Sequence, residues 1–123
     1  MSKSLLIVDD SATMRKIIMR SIRMSGLQFD TTEEAGNGVE ALEKLKASPV
    51  DIILCDVNMP EMNGTELVKK VREMDSCKDT KIVMVSTESS QEFIDSLLAD
   101  GANDYITKPF TPDKFQEKLS PFV

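Results

Sequence analysis

The stretch Asp51-Ile52-Ile53-Leu54-Cys55-Asp56-Val57-Asn58-Met59-Pro60-Glu61-Met62-Asn63-Gly64 decides the fold. Ile52 to Cys55 is an apolar run without alternation, and such a run reads as a strand buried on both faces. It stops abruptly at Asp56. A carboxylate is costly to desolvate, so an acid directly after a buried strand belongs at a loop mouth. In open α/β sheets that mouth, outside the carboxyl ends of the strands, is where ligands bind. Taken alone, Asp56 reads equally well as a turn or helix-cap residue.

Working outward, two further runs have the same character. Ser4 to Val8 ends at Asp9-Asp10, and Lys81 to Val85 ends at Ser86-Thr87-Glu88. Phe29 to Ala35 is more polar and Ala102 to Ile106 is short, as edge strands are. Helical patterns lie between them. Ser11 caps a helix carrying Met14, Ile17, Ile18 and Ile22, with Arg15, Lys16, Arg20 and Arg23 facing elsewhere, and Ser25-Gly26 stops it. Asn37 caps a second, with Glu40 reaching back as in a capping box and Val39, Leu42 and Leu45 inward. Leu67, Val68, Val71 and Met74 mark a third. Ser89 or Ser90 starts a fourth carrying Phe93, Ile94, Leu97 and Leu98. Thr111 and Pro112 open a fifth, with Phe115, Leu119 and Phe122 inward. Five strands alternating with five helices predict a doubly wound, flavodoxin-like parallel sheet, with apolar strands central and polar ones at the edges. Order 2-1-3-4-5 satisfies this with right-handed crossovers. Its switch point sets the Asp9-Asp10 and Asp56 loops side by side.

With 123 residues, 41% of them hydrophobic and 29% charged, the expectation is one domain over residues 1–123 with no separate output domain. A net charge of −6 argues against a nucleic-acid surface. Cys55 and Cys77 match no metal or redox spacing, and no apolar run reaches the roughly 18 residues of a membrane span. A cytoplasmic protein with reduced thiols is the expectation.

Three carboxylates at one mouth repel: at about 4 Å and an effective dielectric near 20, each pair costs on the order of 4 kcal/mol. The cluster needs a cation or must keep protons. Magnesium suits it, being a hard ion that takes one or two carboxylates and completes its octahedron with water and phosphate oxygens. Ser86 adds a hydroxyl and Lys108 an ammonium, both donors suited to phosphoryl oxygens. Asp pairs cap helices, serines sit in turns and lysines are solvated on countless surfaces. Here each lies just past a strand's carboxyl end, and the set describes phosphoryl transfer.

Asp9-Asp10, Asp56-Val57-Asn58-Met59-Pro60 with Gly64, Ser86 with Glu88, and Tyr105 followed by Thr107-Lys108-Pro109-Phe110 together resemble the response-regulator receiver domain over essentially the whole chain. The 2-1-3-4-5 order is a known property of that family, so the resemblance carries it as well. The resemblance implies that Asp56 accepts a phosphoryl group from a histidine kinase. Asp10, Asp56 and the Asn58 carbonyl would ligate Mg2+ directly, and Asp9 through water. Lys108 would pair with the acyl phosphate, and the bond before Pro109 would be cis. Ser86 would move toward the phosphoryl group, letting Tyr105 turn inward. Asn58 and Glu88 would flank the water that hydrolyses the phosphate.

The chain is most similar to the single-domain chemotaxis members. That implies a monomer whose phosphorylated form binds a flagellar motor switch protein through helix four, strand five and helix five, served by an auxiliary phosphatase. Ser11-Ala12-Thr13-Met14-Arg15 and Lys118 agree with this. Ser86 in place of the commoner Thr, a start to helix four without basic residues (Ser89, Ser90, Gln91, Glu92), and Asp113-Lys114 depart from it. A phosphorelay intermediate or phosphate sink that never touches a motor shares the same core residues. A true phosphohydrolase would want a DxD element where Asp9-Asp10-Ser11 stands. A flavin protein would want a glycine- and hydroxyl-rich loop there. The expectation is therefore a signalling protein that catalyses only its own phosphorylation and dephosphorylation.

Overall fold

Alternation within each apolar run sends successive side chains to opposite faces of one sheet. Strands β1 (Ser4–Val8), β2 (Thr31–Ala35), β3 (Ile52–Asp56), β4 (Lys81–Ser86) and β5 (Asp104–Thr107) pair in parallel in the order β2-β1-β3-β4-β5. The computed structural model describes residues 3–57, 64–87 and 90–122. Leu6, Val8, Ile53, Cys55, Ile82 and Met84 face a core closed by α2 (Gly38–Ala47), α3 (Gly64–Arg72) and α4 (Gln91–Asp100). Leu5, Ile7, Ile52, Leu54, Val83 and Val85 face a second, under α1 (Ala12–Met24) and α5 (Pro112–Leu119). Covered on both sides, each fully buried aliphatic side chain contributes about 1.5–3 kcal/mol. That is why the three central runs carry no polar alternation.

The caps fall where the sequence sets them. Ser11, Asn37, Ser90 and Thr111 each accept a bond from a backbone N–H three residues on. Glu40 does not complete a capping box. Its carboxylate lies instead beside Gly36, where a Cβ would meet Oε2 at 3.6 Å. The edge strands are shifted or shorter than expected, β2 beginning at Thr31 and β5 running from Asp104 to Thr107. Val39, expected inward, is 43% exposed, because Ala41 and Leu45 take the buried face of α2. Ile17 and Leu98 are likewise exposed: one residue turns a helix by about 100°, carrying them off the faces of Ile18 and Leu97. Ile17 instead lines a shallow, mostly apolar hollow of about 440 Å³ with Met14, Thr87, Lys108, Pro109 and Phe110.

The amino-terminal rim of the sheet is tied by polar side chains. The Asp51 carboxylate accepts from the Ser4 N–H at 2.8 Å and its hydroxyl at 3.2 Å, and Thr80 Oγ1 donates to the Val50 carbonyl at 2.7 Å. Arg72, last in α3, donates to the carbonyls of Gly101, Cys77 and Lys78 and to Asn103 Oδ1. Asn103 Oδ1 also accepts from the Ile82 N–H at 2.8 Å, so one guanidinium joins α3, the α4–β5 turn and β4. Gly101 is there for its φ of +124°, which side chains other than hydrogen rarely adopt.

Candidate functional site

Parallel register brings the strand ends to one rim. Val8 pairs with Cys55, Asp56 with Val85, and Ser86 with Thr107. Asp9, Asp56, Ser86 and Lys108 therefore emerge together at the carboxyl edge. Gly64 lets α3 begin against this rim: a Cβ there would lie 2.6 Å from the Asp56 carbonyl oxygen and 2.7 Å from Met84 Cε. The Gly64 N–H donates to the Val57 carbonyl at 2.8 Å, fastening helix to loop.

Asp9 and Asp56 are buried, at 2% and 7% exposure, whereas Asp10 is exposed. Each offers a carboxylate oxygen within 4.8 Å of the others. Lys108 Nζ stands 3.4 Å from Asp56 Oδ1 and 4.0 Å from Asp9 Oδ2, one cation against three carboxylates. Asp9 Oδ1 accepts from the Ser11 N–H at 2.9 Å. Asp9 Oδ2 is buried without a hydrogen-bond partner among the described residues. Burial pushes the Asp9 carboxyl above its usual range, and the charges of Asp56 and Asp10 add to this. The Ser11 N–H and Lys108 pull the other way without prevailing. An orphaned buried oxygen beside two more carboxylates is a donor set that fits a hard divalent cation such as Mg2+.

Ser86, buried at 1%, closes β4, and its carbonyl accepts from the Lys108 N–H at 2.7 Å. The Lys108–Pro109 bond is cis, as the resemblance implies. Asn58 and Glu88 lie outside the described residues. Tyr105, which the resemblance implies turns inward on activation, is 6% exposed and packed into the core of α2, α3 and α4. Its ring alternates with Ile106 on β5, and this direction points it into the body. Cys55, directly before Asp56, is an inert thiol: burial pushes its ionisation far up, and its Sγ lies 3.2 Å from the Asp56 carbonyl oxygen. Lys118 pairs with Asp104 at 3.3 Å across the edge of β5.

The sequence reading misses Arg15, which it sets facing elsewhere. Its guanidinium donates to the Asp9 carbonyl and, through Nε, to Glu34 Oε1 at 2.9 Å. The signal is an Arg four residues past a helix cap with an acid on the adjoining strand, and the strand order is needed to see it.

A parallel sheet in this order with an acid triad and a lysine at its carboxyl rim defines a class, and the match is direct: residues 5–120 fit the response regulator receiver domain. The chain belongs to that family, a signalling family rather than an enzyme family. Among its relatives, the chemotaxis protein CheY1 of Helicobacter pylori is 47% identical over 116 residues, covering 94% of this chain and 92% of that one. Chemotaxis protein CheY4 of Vibrio cholerae superposes with a TM-score of 0.88 at 36% identity, covering the whole of both chains. A CheY from Borrelia burgdorferi, solved as a CheX–CheY–BeF3–Mg2+ complex, gives 0.83 at 30% identity, covering 98% of this chain and 90% of that structure's. The chain is thus a receiver domain of the CheY-like, chemotaxis response-regulator kind.

Proposed function

We propose that this protein is a single-domain chemotaxis response regulator phosphorylated on Asp56 by a histidine kinase in a Mg2+-dependent reaction. The observation that carries the reading is the placement of the Asp56 carboxylate, buried at the end of β3, facing Lys108 and sharing its mouth with Asp9 and Asp10. An Asp56 oxygen attacks the phosphorus of a phosphohistidine. The P–N bond breaks as the P–O bond forms, and the leaving imidazole keeps the electron pair and takes up a proton. Lys108 holds the incoming phosphoryl oxygens, and Ser86 donates its hydroxyl to them. Asp10, Asp56 and, by the resemblance, the Asn58 carbonyl would hold magnesium directly and Asp9 through water, and the ion would neutralise charge building on those oxygens.

The new dianion biases a two-state element at the β4 and β5 ends. Tyr105 lies inward against the core of α2, α3 and α4, next to the β4 end that Ser86 closes, and activation would act through this pair. By the resemblance, Asn58 and Glu88 would tune the hydrolysis of the phosphate and give rapid self-dephosphorylation, within seconds to minutes; a phosphoryl half-life of hours under magnesium would sink that part. The phosphorylated monomer acts in the cytoplasm on a flagellar motor switch protein through α4, β5 and α5, with an auxiliary phosphatase resetting it. The Borrelia CheX–CheY complex supports such an additional partner. An amino-terminal peptide of a flagellar switch protein is titrated with and without beryllofluoride and magnesium, using Asp56→Ala as control. Affinity should rise only for the activated wild type. No gain, while Asp56 still accepts phosphate, would move the reading to a phosphorelay intermediate or phosphate sink.

A further inference from the structure

Asp10 is the member of the acid triad with the least to hold it. It is exposed and makes no hydrogen bond among the described residues, so its carboxylate is aimed only by its backbone. The peptide unit that sets this aim begins at the Asp9 carbonyl, and that carbonyl accepts from Arg15 Nη1. The same guanidinium is anchored to Glu34 on β2 at 2.9 Å, and its side chain is only 17% exposed. Glu34 is itself fixed by pairing with Ile7, and the Asp9 N–H donates to the Ala35 carbonyl at 3.1 Å. The Asp9–Asp10 turn is therefore clamped on both sides of Asp9, by β2 at the nitrogen and by Arg15 at the carbonyl.

We propose that Arg15 is a positioning residue of the magnesium site, fixing the Asp9–Asp10 peptide plane from behind so that the Asp10 carboxylate faces Asp9 and Asp56. The inference rests on the metal reading of the acid triad. A guanidinium suits the task because its planar fork reaches a carbonyl and a carboxylate at once, which an ammonium does at poorer geometry. Partners that orient metal ligands are worth about 10–100-fold in metal affinity.

Charge and positioning make opposite predictions. Removing a cation near a metal site relieves repulsion and tightens binding. Removing a positioning group loosens it. Magnesium chloride is titrated into wild type, Arg15→Met, Arg15→Lys and Glu34→Gln, following amide shifts for Kd and urea unfolding for stability. The Kd of Arg15→Met should rise roughly 10-fold. Arg15→Lys should recover part of the loss, and Glu34→Gln, which frees the guanidinium without removing it, should weaken binding in the same direction by less. Glu34→Gln also removes an acid, so charge alone predicts the same direction there; Arg15→Lys keeps the positive charge, so a loss in it is geometric and keeps the inference testable should Arg15→Met fail to fold. An unchanged or tighter Kd in Arg15→Met, or a fall in stability alone, overturns the inference while leaving the metal site standing. Wild type that binds no magnesium overturns both.

Discussion

Asp9 concentrates the energetic conflict of the site. Its carboxyl is raised above the value of 3.8 that a free aspartate shows, chiefly by burial, so the folded state holds this proton more tightly than the unfolded chain. Such a group contributes stability that is fully present below about 3.8 and is lost as the pH rises through its raised folded value. At neutral pH and without metal, Asp9 therefore opposes folding. Asp9→Asn should stabilise the metal-free protein at pH 7 by about 1–3 kcal/mol, the scale of an unsatisfied buried group, with little gain at pH 3. Urea unfolding in EDTA at the two pH values checks this, and equal gains at both would contradict it. By the same logic Mg2+ should raise the melting temperature of wild type and do so less for Asp9→Asn. The sequence makes the three acids, the serine and the lysine legible because each follows a strand end. It leaves Arg15 and the inward Tyr105 hidden, since their roles depend on which strand lies beside which and which way β5 faces.

Helix α3 meets the site through backbone rather than side chains. Because a Cβ on Gly64 would sit 2.6 Å from a main-chain oxygen, Gly64→Ala must push α3 off the rim. It should cost about 1–3 kcal/mol by overpacking, read as a lowered urea midpoint, and should weaken phosphorylation of Asp56 beyond what lost stability explains. Arg72 does the opposite job at the far end. Arg72→Met should destabilise by about 2–4 kcal/mol, stranding two or more acceptors, while leaving magnesium affinity within twofold. Helix existence and caps are readable in the chain because polar caps and apolar spacing are local. Which apolar residue of a helix is buried is not: Val39 loses its place to Ala41, two residues and about 200° further round α2.

Across the whole molecule the sheet separates two cores, and β1, β3 and β4 are flanked on both sides by other strands. Amide exchange should be slowest in those three strands and faster in β2, β5 and α4; protection of β5 equal to that of β3 would contradict this. The order 2-1-3-4-5 is readable because continuous apolar runs mark central strands and polar ones mark edges. The polar ties of the amino rim are not, since Ser4, Asp51, Thr80 and Arg72 look in sequence like ordinary surface residues. Those ties have a consequence for how such a chain can change over generations. The polar side chains that tie the sheet's ends sit at one rim, and the acids, serine and lysine of the site sit at the other. Substitutions around the site thus leave those ties untouched. A lineage can vary the carboxyl rim while inheriting the amino-rim ties intact.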